Sequence, residues 1–217
     1  MIITWHGFSC FRIQEQARDH EVSVLTDPFA PEDGKKLPRN LTADVVTVSH
    51  DHSRHDNVAA VGGQPFVITT PGEFEVKEAF VTGVPTYHDL VEGKEKGRNT
   101  MFFINIGGLH LLHLGDLKHP LEEKHFEDLH DIDVLFLPVG GRDVLNAKQA
   151  LDLVGQLEPR VIIPMHYRTA GFCPKCDPAE PFLKAMGSGK IEALPKLKIS
   201  DKDLPQEEMS VIILEPQ

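Results

Sequence analysis

At 217 residues the chain is long enough for one sizeable core and short for two, so a single domain over residues 1–217 is expected. Its 33 acidic against 22 basic residues leave a formal charge of −11, which argues against sequence-independent nucleic-acid binding, since that needs a basic footprint. The apolar content of 41% is ordinary for a globular chain, and no run of roughly 18 apolar residues exists to make a membrane-spanning helix.

The opening segment from Met1 to Ile13 has no basic region followed by an apolar stretch, so a cytoplasmic protein without a signal peptide is expected. Short runs rich in Val, Ile and Phe then read as strands. They are Ile2–Trp5, Cys10–Ile13, Val22–Thr26, Val45–Ser49, Phe66–Thr70, Phe80–Val84, Met101–Ile106, His110–Leu114, Val134–Leu137, Val161–Pro164 and Val211–Leu214. Leu121–Leu129 reads as a helix, with Pro120 at its start and acidic residues in its first turn. Ala147–Leu157 is the clearest helix. Ala147, Ala150, Leu151, Val154 and Leu157 share a face, and Asn146 with Gln149 resembles a capping box. Leu194–Glu208 reads as an irregular connection before the last strand. Early strands follow one another directly and later ones alternate with helices, which predicts a layered α/β fold with two sheets and helices outside.

Histidine is the unusual component, with 12 in an acidic chain. In the segment from Val45 to Asn57 an apolar run ends at Ser49, and His50 and His52 follow at once. Residues two apart in extended backbone project to the same side, and His55 can fold back to the same point after a turn. Three imidazoles converging at a strand end can hold Zn²⁺ or a similar ion while leaving a position for water. Such histidines can also sit in a solvated polar loop, but this spacing after an apolar strand favours metal.

Here the chain resembles the metallo-β-lactamase superfamily, whose first motif is His-x-His-x-Asp-His. The segment ending in His88 looks like the source of the next metal-binding histidine, His113-Leu114-Gly115-Asp116 resembles the family's Gly-Asp element, and Ile163-Pro164-Met165-His166 looks like the last ligand motif. Thr26-Asp27-Pro28 is similar to an opening strand whose aspartate lies outside the ligand set. The resemblance runs from about Ile2 to Tyr167, closest to the compact branch of uncharacterised zinc-dependent hydrolases. It implies a four-layer αββα sandwich with a metal site at its edge. His50, His52 and His88 would hold one ion and His55 and His166 a second, with Asp116 between them.

The implied activity is hydrolysis by metal-activated water, with Asp116 and Arg54 as candidate catalytic residues. The cofactor would be one or two Zn²⁺ ions, or Mn²⁺ or Fe²⁺, because mixed imidazole and carboxylate ligands do not select strongly among them. A small ester, lactone or phosphodiester is the expected substrate class, with Asp89, Arg98 and Asn99 as candidate contacts on the polar loop after His88. The alternative is a non-catalytic metal-binding or ligand-sensing domain with a degenerate second site. Arg54 gives it weight, because it stands where the family motif has aspartate and has no lone pair to offer a metal. Directed into the site, Arg54 would pair with Asp116 or clamp an anionic substrate; directed outward, it would pair with a surface carboxylate. His113 and His119, flanking the Gly-Asp element, are expected to orient Asp116. Three cysteines make no disulfide framework, and Cys173-Pro174-Lys175-Cys176 is read as a loop lining the pocket.

Overall fold

In the computed structural model, which describes every residue except 18, 33, 127, 128, 130 and 170, the chain opens as an antiparallel meander. Its strands are Ile2–Gly7 (β1), Cys10–Gln16 (β2) and Glu21–Thr26 (β3), joined by connections too short for a crossover. The longer excursion from Asp27 to Asp44 then allows Val45–Thr47 (β4) to lie parallel to β3, and Phe66–Ile68 (β5) continues the parallel run. Leu197–Lys198 (β12) returns to cover the free side of β1, which gives the order β12-β1-β2-β3-β4-β5.

The second sheet starts as a meander of Gly72–Val76 (β6), Ala79–Tyr87 (β7), Arg98–Ile106 (β8) and Leu109–His113 (β9). Val134–Pro138 (β10), Val161–Met165 (β11) and Ser210–Val211 (β13) add in parallel, completing the order β13-β11-β10-β9-β8-β7-β6. Two antiparallel steps separate β7 from β9, so β7, β9, β10 and β11 all run the same way and end at one edge.

Side-chain alternation decides what each face of the first sheet meets. Val24 and Val45 face inward and join Phe102, Leu112 and Phe136 of the second sheet in the main core. Their neighbours Leu25 and Val46 face outward, onto a second cluster with Phe8, Phe29, Leu41 and Phe172. Strands β10 and β11 are buried throughout, because their outer face is covered by the helices Ala147–Leu157 (α1) and Glu180–Ala185 (α2) through Ala150, Leu153, Val154, Phe182 and Leu183. Each fully buried Leu, Val or Phe contributes about 1.5–3 kcal/mol, so this two-sided burial is what fixes the central strands.

The expected sandwich is therefore present, with few helices. The outer face of the first sheet is covered by loop residues and the short turn Val58–Ala60. Helix α1 forms as expected, with the Asn146 side chain accepting from the Lys148 and Gln149 amides. The helix expected at Leu121–Leu129 is replaced by a single turn, Glu123–His125, and 127 and 128 fall outside the described residues. There the His125 ring accepts the Glu122 amide, offering the backbone a local alternative to helix. Strand β6 was not expected from its Gly-Glu-Phe-Glu-Val sequence, since an edge strand need bury little. The stretch Leu194–Glu208 contains β12 and the turn Asp201–Asp203. Among the described residues no helix is long and apolar enough to cross a membrane.

Candidate metal centre

The parallel strand ends deliver their following residues to one place. Asp27 leaves β3, Ser49 and His50 leave β4, His88 leaves β7, Asp116 follows β9 and His166 follows β11. Two main-chain bonds tie the sheets together at this edge: Thr100 donates to Ser49 O at 2.8 Å, and His166 donates to Phe8 O at 3.1 Å.

Asp27 organises the first motif. Its Oδ1 accepts the Ser49 amide at 2.7 Å, and its Oδ2 accepts the Ser49 hydroxyl at 2.7 Å and faces His55 Nδ1 at 2.8 Å. A proton on Nδ1 suits that contact, and it leaves the His55 Nε2 lone pair free. That nitrogen lies 3.3 Å from Asp116 Oδ2. Ser49 Oγ also sits 3.1 Å from His50 Nδ1, so the ring of His50 is oriented from behind in the same way.

Asp116 is held equally firmly. Its amide donates to Asn99 Oδ1 at 3.0 Å, and Asn99 Nδ2 donates to Thr86 Oγ1 at 2.8 Å and Leu114 O at 3.0 Å. Ser9 Oγ donates to Asp116 Oδ1 at 3.3 Å. The other carboxylate oxygen faces Nε2 of His55, His88 and His166 at 3.3, 3.5 and 3.3 Å.

These distances support a metal directly. Ligands about 2.0–2.1 Å from a tetrahedral centre are separated by about 3.3–3.4 Å. Among the described residues the buried Nε2 atoms of His50, His55 and His88 find no partner with hydrogen-bond geometry. Leaving one such group unpaired costs about 1–3 kcal/mol, a cost that divalent ions held by these side chains would remove. The donor atoms fall into compact sets: His50 with His88 and Asp116, and His55 with Asp116 and His166. The residues present thus fit one or two divalent ions.

Protonation follows the same pattern. Burial lowers His50 to about 3, reinforced by His55, and also lowers His88, so both rings stay neutral, as ligation requires. Burial opposes a charge on His55, but Asp116 and Asp27 outweigh it and raise that ring to about 10. Burial likewise opposes ionisation of Asp116, and His166 with His55 overcomes it, holding the carboxyl well below its usual range. A cation beside Asp116 would take the place of the proton on His55.

Several of the expected site residues take up other contacts. His52 is exposed and its Nδ1 accepts the Arg54 amide at 3.2 Å; it groups with His50 and His55, while His88 groups with His50 and Asp116. Arg54 does not pair with Asp116. Its Nε donates to Glu32 Oε2 at 2.6 Å, its second contact is to Glu32 Oε1, and the guanidinium lies 5.0 Å above the Phe8 ring. It still borders the cavity. Asp89 turns its carboxylate into its own loop, accepting the amides of Val91, Gly93, Glu95 and Lys96 at 2.8–3.0 Å. Those four bonds outweigh burial and hold its pKa well below normal. Asn99 borders the cleft, yet its amide is consumed in positioning Asp116. Arg98 is exposed in the cleft. His113 is buried, facing Ser9 O at 2.8 Å and accepting the Gly115 amide at 3.3 Å, so it acts on the backbone around Asp116. His119 instead accepts the Tyr87 amide at 3.1 Å.

The Cys173–Cys176 segment does not line the metal cavity. It forms a disulfide packed behind His166. Sequence reasoning missed Ser9, Ser49, Lys96 and Asp143; only Ser49, directly before His50, carried a local signal. Lys96 and Asp143 form an ion pair at a cavity of about 230 Å³ over His50, His88, Asp116 and His166. A larger cleft of about 800 Å³ shares His50, Asp51 and Lys96 with it.

Comparison with known proteins bears on the family and the fold. Residues 2–166 match the family described as Beta-lactamase superfamily domain. A Thermotoga maritima crystal structure from the metallo-β-lactamase superfamily superposes with a TM-score of 0.78 at 36% identity over 98% of both chains. A UPF0173 metal-dependent hydrolase from Carboxydothermus hydrogenoformans is 28% identical over 78% of this chain and 85% of its own. The metallo hydrolase Igni18 from Ignicoccus hospitalis shares the fold, with a TM-score of 0.67 at 21% identity over 92% of this chain and 99% of its own.

Proposed function

Because the chain belongs to the Beta-lactamase superfamily domain family, we propose that it is a metal-dependent hydrolase of a small ester, lactone or phosphodiester. One observation carries the reading: Nε2 of His55, His88 and His166 face one carboxylate oxygen of Asp116 at 3.3–3.5 Å, and His50 is grouped with His88 and Asp116 beside them. A divalent ion bound there lowers the pKa of its water towards neutrality and polarises the substrate's carbonyl or phosphoryl oxygen. His50, His88 and Asp116 would hold one ion, with His52 completing its surroundings after releasing the Arg54 amide. His55, His166 and Asp116 would hold another. Zn²⁺, Mn²⁺ and Fe²⁺ all suit this donor set.

The remaining residues prepare and shield the site. Asp27 and Ser49 aim His55 and His50, while Asn99 and Ser9 fix Asp116, so little reorganisation is needed when substrate arrives. Lys96 and Asp143 stand at the mouth of the inner cavity, and Arg98 offers a cation in the cleft leading to it. The cavity and cleft sizes suit a small molecule, and the net charge of −11 disfavours a nucleic-acid polymer. Arg54 stands where the family motif has an aspartate for the second ion, and its permanent positive charge, partly offset by Glu32, borders the cavity. The ion at the His55–Asp116–His166 position should be the weaker of the two.

The test loads the protein with Zn²⁺, Mn²⁺ or Fe²⁺ and screens esters, lactones and bis-aryl phosphodiesters. Turnover is expected, together with its loss on chelation and in Asp116→Ala and His88→Ala. Activity that survives complete metal removal, checked by elemental analysis, overturns the mechanism. A metal-loaded protein inert across the panel would favour a metal-binding or ligand-sensing role instead.

A further inference from the structure

Beyond the hydrolytic reading, and sharing only His166 with that centre, we infer that Cys173, Cys176 and the Nδ1 face of His166 form a thiol-dependent site for a thiophilic metal ion such as Zn²⁺. His166 presents two faces. Its Nε2 points to Asp116, while its Nδ1 lies 3.8 Å from Cys176 Sγ. A sulfur and a nitrogen ligand at about 2.3 and 2.0–2.1 Å from one tetrahedral zinc are about 3.5 Å apart, close to the Cys176–His166 spacing, while the two bonded sulfurs separate once reduced. The candidate donor atoms of all three residues lie within 4.8 Å of one another, and all three residues are buried.

The surrounding chain holds the donors in place. Cys176 donates its amide to Cys173 O at 2.9 Å, which closes the Cys-Pro-Lys-Cys turn with Cα atoms 5.4 Å apart. Arg168 donates to Asp177 O at 3.0 Å, and Asp177 donates to Gly140 O at 2.8 Å, fastening the segment to the end of β10. A side chain at Gly140 would strike the His166 carbonyl and reach 3.1 Å from Cys176 Cβ, so glycine there permits the close approach. Cys173 and Cys176 belong to the same buried cluster as Phe8, Phe29 and Phe172. The exposed residues Pro174 and Lys175 leave the turn open to a reductant.

Filling the site begins with a dithiol reductant. Its thiolate attacks one sulfur of the Cys173–Cys176 bond and forms a mixed disulfide. Its second thiol closes the reductant's own disulfide and releases both cysteines as thiols. Two electrons pass to the protein, and the two thiol protons are displaced when the metal binds both sulfurs. The His166 ring also gives up its last proton if both of its faces carry metal.

Cobalt(II) is the probe. The full-length protein is titrated anaerobically after dithiothreitol treatment and removal of the reductant, and again in the oxidised form. The reduced form is expected to bind one further equivalent and to show thiolate-to-cobalt charge-transfer absorption in the near ultraviolet. Cys173→Ser/Cys176→Ser should lose both features while keeping cobalt at the histidine–Asp116 site. In unmutated protein, Zn²⁺ should slow alkylation of the two reduced cysteines at least tenfold, a readout that needs no variant to fold. No thiolate band in the reduced protein, a band that persists in the double variant through Cys10, or alkylation indifferent to Zn²⁺ would each overturn the assignment. Failure of the hydrolase screen would leave these readouts untouched.

Discussion

The Asn99 side chain lies beneath Asp116, its Oδ1 taking the Asp116 amide hydrogen at 3.0 Å while its Nδ2 reaches Leu114 O. One amide thus fixes the backbone on both sides of Gly115, and so the direction of the carboxylate. Asn99→Ala removes both bonds and leaves buried polar groups unpaired, at a cost of about 1–3 kcal/mol in stability. Metal affinity should fall about 10–100-fold, as for other residues that orient ligands. Competitive chelator titration of the folded variant measures this, and unchanged affinity would show that Asp116 needs no such support.

Asp27 receives His55 and Ser49 on one fully buried carboxylate. Asp27→Ala leaves both without their acceptor, so a loss of about 3–5 kcal/mol in denaturant unfolding is expected. Elemental analysis of the purified variant should show the His55–Asp116–His166 position empty, since the free tautomer of His55 is no longer set. Full occupancy would argue against a positioning role.

Gly115 has φ +57°, and a Cβ there would strike Asn99 Oδ1 and approach Ser49 Cβ at 2.7 Å. Gly108 has φ +77° and open space around it. Both alanine variants bear the left-handed backbone cost of about 1–2 kcal/mol. Only Gly115→Ala should also lose metal. Equal metal content in the two variants would mean that the Ser49–Asn99–Asp116 packing is dispensable.

Replacing Arg54 by Gln removes the cation next to the second position while retaining a side chain that can reach Glu32. Calorimetric titration should show the weaker of two ions binding several-fold more tightly, with the stronger one little changed, and the gap narrowing as salt is added. Two equally tight equivalents in the unmutated protein would remove the basis for this expectation.

His6 is buried, and burial lowers its pKa to about 4. In the unfolded chain it titrates near its ordinary value of 6.5. Between these values the unfolded state binds the extra proton, so stability falls as pH drops from about 6.5 towards 4 and is unaffected above that window. Its share is about 2 kcal/mol at pH 5. Stability of His6→Phe should decline less than that of the unmutated protein between pH 7 and pH 5; parallel declines would show that His6 does not contribute.

Much of the architecture could be read locally because strands and ligands share one signal. His50, His88, Asp116 and His166 each come just after an apolar run, and such runs must become strands to bury both faces or one. Helix α1 was equally plain, since its apolar face and its Asn146–Gln149 cap lie within a single segment. Asp89 misled for a local reason: an aspartate followed by a glycine four residues on can fold its own loop by accepting amide hydrogens, and that signal competes with any substrate role.

Local sequence was enough to propose the histidines and aspartate as ligands and to find the strand ends that carry them, because both follow from side-chain chemistry and short-range periodicity. Only the tertiary structure decided their assignments. The Arg54–Glu32 pair, the Asp27–His55 contact, the service of Asn99 to Asp116 and the nearness of the Cys173–Cys176 disulfide to His166 join segments apart in the chain. Such contacts depend on which strands pair and how closely the two sheets pack, quantities to which no single segment is sensitive. That is why the ligand types were legible while their grouping, orientation and neighbours were not.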